Sequence, residues 1–172
     1  MTTIVDGTTG INAPAQTITG VSTLTGGFTV GATAAPAFSA YPSATATISS
    51  ATYTKVILNT EDFDTASAFD STTNYRFTPL VAGYYQINLV ASTPQIAAAN
   101  TNSYTVIYKN GSAYKYGGTQ NSTGQQANSS WSGLVYLNGS TDYLEMYVYT
   151  SSASISLSST YCNFSGFLAR SA

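Results

Sequence analysis

Residues 74–92 read NYRFTPLVAGYYQINLVAS. Tyr75, Arg76 and Phe77 form a short predicted strand that stops at Pro79, which has no backbone donor to offer a ladder. Ala82-Gly83 is the expected turn. Beyond it, Tyr85, Ile87, Leu89 and Ala91 fall on one face of a strand, and Tyr84, Gln86, Asn88 and Val90 fall on the other. A period of two held this long marks a sheet strand lying over a core. Neither face is strongly charged, so both are expected to be covered, one of them by a partner chain. This is the expected central strand.

Working outward, strand signals recur at short intervals and no segment shows helical periodicity. Residues 38–41, 53–58, 102–109, 112–116, 131–137, 142–150, 154–158 and 163–168 read as strands. Asn110-Gly111 and Asn138-Gly139 read as hairpin turns, because both positions tolerate positive φ. The second turn is expected to join 131–137 to 142–150. Residues 43–50 read as a polar loop and 61–70 as an acidic one. Residues 117–129 read as a long Gly/Gln/Asn/Ser loop of the kind that carries contacts. About ten short strands spaced by turn signals give an all-β, antiparallel β-sandwich.

Several pieces of this sequence carry a family resemblance. Phe77, five residues, Gly83, then Tyr85, Ile87 and Leu89 at alternate positions resemble the signature of the complement-1q globular head. That head belongs with the tumour-necrosis-factor-like jelly rolls. Phe69-Asp70, followed by Ser71, Thr72 and Thr73, resembles the family's aromatic-Asp turn, here one residue longer. Tyr108-Lys109-Asn110-Gly111 is similar to its mid-domain hairpin, and Phe164-Ser165-Gly166-Phe167-Leu168 to its closing strand. Aliphatic side chains stand at Ile87 and Leu89, where the family often has aromatics. The resemblance covers residues 37–170 and implies a ten-stranded jelly roll assembling as a trimer. It implies little about activity.

Composition narrows the function classes. Charged residues make up 7% of the 172-residue chain, against an aromatic content of 13%. So sparse a charge suits a protein held in an assembly, since a free monomer leans on surface Lys and Glu for solubility. A net charge of −2 leaves nothing to neutralise a phosphate backbone, so no nucleic-acid partner is expected. No apolar run approaches the ~20 residues that would span a bilayer. The start of the chain has no basic region followed by an apolar run, so synthesis in a cytoplasm without export by the usual route is expected.

The chain has no histidine, which excludes Ser-His-Asp, Cys-His and His-metal arrangements and points away from an enzyme. Cys162, the only cysteine, reads as a buried, inert thiol. Glu61, Asp62, Asp64 and Asp70 could gather a hard cation such as calcium through oxygen ligands, or could simply be solvated. No other cofactor is expected.

Residues 1–36 differ from the rest. Their apolar positions, Ile4, Ile11, Ile18, Val21, Leu24, Phe28 and Val30, are too thin to build a core against ordering entropy. A Gly-punctuated extended arm that docks on other chains is expected, followed by the jelly-roll domain at 37–172. The opening MTTIVDGTTGI resembles the start of many tailed-phage virion proteins.

In residues 142–150, Leu144, Met146 and Val148 form a core face opposite Tyr143, Glu145, Tyr147 and Tyr149. Tyrosine suits surfaces with one dry and one wet side. Tyr143, Tyr147 and Tyr149, together with Tyr84 and Val90, are therefore the expected trimer interface; the other reading of these tyrosines is cross-strand stacking on a solvated sheet. Gln120, Asn121, Gln125 and Trp131 are the candidate ligand loop, with a host-surface glycan as the partner considered; Trp131 also reads as a core tryptophan that starts a strand. The expected function is that of a non-enzymatic virion structural protein of a tailed phage. It would be a trimeric jelly roll decorating or cementing the capsid surface, docked on shell or tail proteins by residues 1–36. The alternative is the receptor- or glycan-binding tip of a tail fibre or spike.

Overall fold

The strand that opened the analysis lies inside a sheet. In the computed structural model, which describes residues 35–95, 101–121, 126–151 and 155–172, β1 (Ala37–Tyr41), β4 (Thr60–Asp64), β7 (Ala82–Gln95), β10 (Gln126–Asn138) and β13 (Asn163–Ser171) form one sheet. Their order is β10-β7-β13-β1-β4. The facing sheet holds β5 (Phe69–Asp70), β6 (Arg76–Phe77), β11 (Leu144–Thr150), β8 (Thr101–Lys109) and β9 (Ser112–Asn121), in that order. β3 (Thr54–Lys55) pairs with β11 beyond β6. β2 (Ala46–Ile48) and β12 (Ile155–Leu157) make a small third sheet that delivers Ile48 and Leu157 to the core.

Every strand pair is antiparallel, and no helix occurs among the described residues. The fold is an all-β jelly-roll sandwich. Its strand segments outnumber the ten expected because the sheet edges are broken into pieces of two or three residues.

The period-two reading of β7 holds. Tyr85, Ile87, Leu89 and Ala91 are buried and meet Leu144, Met146 and Val148 of β11 in one core cluster. Between them lies an aromatic centre built from the residues that carried the family resemblance. Phe38 stacks on Phe77 at 4.2 Å and on Phe69 at 5.1 Å, and meets Phe164 edge-on at 4.9 Å. Such pairs add about 0.5–1.5 kcal/mol each beyond the area they bury. The Tyr85 hydroxyl donates to the Val81 carbonyl at 2.7 Å, and burial pushes its phenol up to about 12.

Elsewhere the structure corrects the reading. Ala82-Gly83 is already strand: Gly83 pairs with Leu137 and Ser171, and a side chain there would strike the Arg170 carbonyl and Leu168. Tyr75, at φ 48°, belongs to the turn before β6 and not to the strand. Asn110-Gly111 is the expected hairpin turn, with φ of 54° and 77°. Asn138-Gly139 is not one. β10 pairs with β7 while β11 pairs with β8, so this corner carries the chain from one sheet to the other. There Asn138 Oδ1 accepts the N–H groups of Ser140, Thr141 and Asp142, each at 3.0 Å.

The expected loop at 117–129 is mostly strand, with β9 reaching Asn121 and β10 starting at Gln126. Gly117 is what permits this. The two sheets close on each other there, and the Ser130 carbonyl leaves no room for a side chain. The polar stretch at 43–50 contributes β2, and the acidic stretch at 61–70 begins inside edge strand β4. Residues 53–58 keep only two residues of strand, although the Val56 N–H still donates to the Met146 carbonyl at 2.9 Å.

Candidate interaction surface

The outer face of the first sheet is assembled by register. Tyr84, Gln86, Asn88 and Val90 of β7 lie beside Tyr136, Leu134, Ser132 and Ser130 of β10. On the other side stand Phe167, opposite Gln86, then Ser165 and Asn163 of β13. Leu134 is 57% exposed, Phe167 50% and Tyr84 47%, with Tyr136 and Val90 also open to solvent. The amides between them are already bonded to one another. Gln86 Nε2 donates to Ser132 Oγ at 2.9 Å, and Ser132 Oγ donates to Asn88 Oδ1 at 2.8 Å. Covering this face would remove apolar surface from water while leaving those groups partnered, which lowers the cost of burial.

The outer face of the second sheet uses tyrosine differently. Tyr104, Val106 and Tyr108 of β8 sit opposite Tyr149, Tyr147 and Glu145 of β11. Tyr108 stacks on Tyr147 at 3.8 Å and Tyr104 on Tyr149 at 5.8 Å, while Tyr53 packs on Tyr149 at 4.8 Å. Val106, beneath them, is fully buried. Burial pushes the phenols of Tyr53, Tyr108 and Tyr147 upward. Glu145 is buried and ion-paired to Lys55 at 2.6 Å, and Lys55 Nζ also donates to the Asn74 carbonyl. The Arg76 guanidinium lies 4.3 Å over the Tyr143 ring. Lys55 and Arg76 thus serve Glu145 and Tyr143.

The expected trimer residues are therefore not brought together. Tyr84 and Val90 stand exposed on the first face. Tyr147 and Tyr149 stack on neighbours on the opposite face, and Tyr143 lies under Arg76. Leu134, Tyr136 and Phe167 were missed. The signal was present: in 131–137 and 163–168, strict alternation sets Leu134 and Tyr136 against buried Val135 and Leu137, and Phe167 against buried Phe164.

The acids hold turns. Asp70 Oδ1 accepts from the Thr72 and Thr73 N–H groups, and Oδ2 from Asn74, which holds the carboxyl well below the usual range. Asp64 accepts from Ala66 and, at 2.7 Å, from Phe69. Asp62 accepts from Ser39 Oγ at 2.7 Å, and Glu61 pairs along the edge with Ala40. Among the described residues no three acids or cysteines form a group that could hold a metal ion. The Asn110 amide and the Lys109 ammonium lower the Asp142 carboxyl, while burial pushes the Cys162 thiol up to about 12.

Of the candidate ligand loop, Gln120 and Asn121 belong to β9, and Gln125 lies outside the described residues. Trp131 is on β10, packed inward against the core.

This architecture has known counterparts. The globular domain of zebrafish complement 1qA superposes with a TM-score of 0.58 at 18% identity, over 80% of this chain and 99% of that one. The Eiger tumour necrosis factor of S. frugiperda matches with a TM-score of 0.58 at 12% identity, covering 80% and 93%. The vertex protein P5 of PRD1 matches with a TM-score of 0.59 at 17% identity, covering 79% and 98%. At these identities the likeness is one of fold: the chain has the complement-1q and tumour-necrosis-factor-like jelly roll. No family model matches the sequence, and no curated protein matches it significantly.

Proposed function

We propose that the protein is a non-enzymatic structural component of a tailed-phage particle. It stands on the particle surface as a homotrimer, decorating or cementing the capsid, and residues 1–36 dock it on neighbouring virion proteins. The observation that carries the trimer is the outer face of the first sheet, where exposed Leu134, Phe167, Tyr84, Tyr136 and Val90 surround amides that are already paired. A second copy seated on this face fits its chemistry. A three-fold arrangement needs only that the face of one protomer meet a different surface of the next, closing a ring. The low charge of the chain, the phage-like opening sequence and the shared fold with a vertex protein support the particle setting.

Two measurements test this reading. Sedimentation of the full chain should give a trimer. A chain lacking residues 2–34 should melt at the same temperature yet no longer bind particles. The deletion stops short of Ala35 and Pro36 because their carbonyls accept from Thr65 Oγ1 and the Leu168 N–H. Retained particle binding would refute the docking role.

A further inference from the structure

At one end of the sandwich, where β1 leaves the first sheet and β13 enters it, a hollow of about 370 Å³ opens to solvent. Tyr41, Ser43, Asp62, Ser159, Thr160 and Asn163 are among the residues that line it. We infer that this hollow is a binding site for a neutral saccharide.

The polar groups of the hollow are held in place by bonds to one another. Ser39, buried beside the hollow, donates from Oγ to Asp62 Oδ2 at 2.7 Å and accepts from Asn163 Nδ2 at 3.0 Å. One hydroxyl therefore fixes a carboxylate and a carboxamide on the same wall, before any ligand arrives. A carboxylate that accepts and a carboxamide that both donates and accepts can meet adjacent hydroxyl groups, each of which is donor and acceptor at once. Ser43, Ser159 and Thr160 add hydroxyls around the opening, and Tyr41 adds an aromatic ring. Among the described residues no Lys or Arg lines the hollow and Asp62 is the one carboxylate, which disfavours an anionic ligand. The volume lies within the roughly 300–1,000 Å³ typical of small-molecule sites. This site is separate from Gln120, Asn121 and Trp131, and it does not depend on the particle role proposed above.

The test is calorimetry and saturation-transfer NMR on the full-length protein. The probes are methyl glycosides of glucose, galactose, mannose and N-acetylglucosamine, the disaccharides maltose and lactose, and one acidic sugar, sialic acid. Saturable binding of at least one neutral sugar is expected, with sialic acid weaker. Asp62→Asn keeps the shape and the acceptor for Ser39, and should weaken binding about tenfold. Thr160→Trp, at an exposed turn, should abolish it by filling the hollow. Melting temperature and sedimentation are recorded for each variant, so that loss of fold or of trimer is separated from loss of binding. No saturable binding by any neutral sugar, binding of sialic acid alone, or equal binding by wild type and both variants would each overturn the inference.

Discussion

The two outer faces of the sandwich both display tyrosine, yet they stand in different physical situations. On the β11-β8-β9 side, Tyr53, Tyr104, Tyr108, Tyr116, Tyr147 and Tyr149 lean on one another and seal Val106, although Tyr53 and Tyr116 stay 41% and 51% exposed. On the β10-β7-β13 side, Tyr84 and Tyr136 meet at 5.4 Å and the Lys109 ammonium lies 5.9 Å from the Tyr136 ring centre, while Leu134 and Phe167 are exposed to solvent. A tyrosine stacked over an apolar neighbour has already gained its burial. An exposed aliphatic on a sheet face has not, and gains it only when another surface arrives. The count of tyrosines therefore says little about assembly; what matters is whether their neighbours in space already cover them.

The largest way to break this contrast is a charge on the open face. Leu134→Arg or Phe167→Glu should convert the proposed trimer to single protomers, seen as a threefold fall in native mass. The same charge change at Tyr116 should leave the mass unaltered. Next in size, Tyr147→Ala removes the ring stacked on Tyr108 and opens a path to Val106. A loss of roughly 2 kcal/mol is expected from the stacking and burial lost. At about 2–4 °C per kcal/mol for a domain of this size, calorimetry should show melting about 4–8 °C lower, with the trimer intact.

A smaller effect concerns pH and leaves both faces alone. The backbone N–H groups around Asp70 depress its carboxyl in the folded state, so its stabilisation is present above the unfolded carboxylate value and is lost as pH falls toward the folded one. Melting curves should therefore drop as pH falls below about 4, and Asp70→Asn should flatten that drop while lowering stability at neutral pH. Tyr85 works in the opposite sense. Its phenol is pushed up to about 12, so its contribution is present below about 10 and fades as pH rises through that interval. In a spectrophotometric titration, Tyr85 should ionise late, with Tyr53, Tyr108 and Tyr147 also shifted upward.

Much of the fold was legible because alternation is local. Tyr85, Ile87, Leu89, Leu144, Met146 and Val148 could be assigned inward from their spacing alone, and the aromatic positions of the family resemblance became the stacked core. Two errors have separate physical causes. Asn110-Gly111 and Asn138-Gly139 are the same dipeptide, but a turn's chemistry fixes the bend and not which sheet receives the next strand. Here only the first joins paired strands. Residues 117–129 read as a loop because they lack apolar side chains, yet ladder bonds come from the backbone, and Gly117 is needed where the sheets close. The site was less legible than the fold. Tyr147 and Tyr84 look alike in sequence, and the stacking partner Tyr108 that distinguishes them comes from a strand far along the chain. The Ser39–Asp62–Asn163 linkage likewise joins three distant segments.

Hydroxyl-radical footprinting of the full chain at trimer-forming concentration tests the contrast most directly, because it reads both faces in one experiment. The account predicts that Tyr84, Leu134, Tyr136 and Phe167 are protected, while Tyr53, Tyr114 and Tyr116 are modified at rates that match their exposure. Free modification of the first group with protection of the second would contradict it.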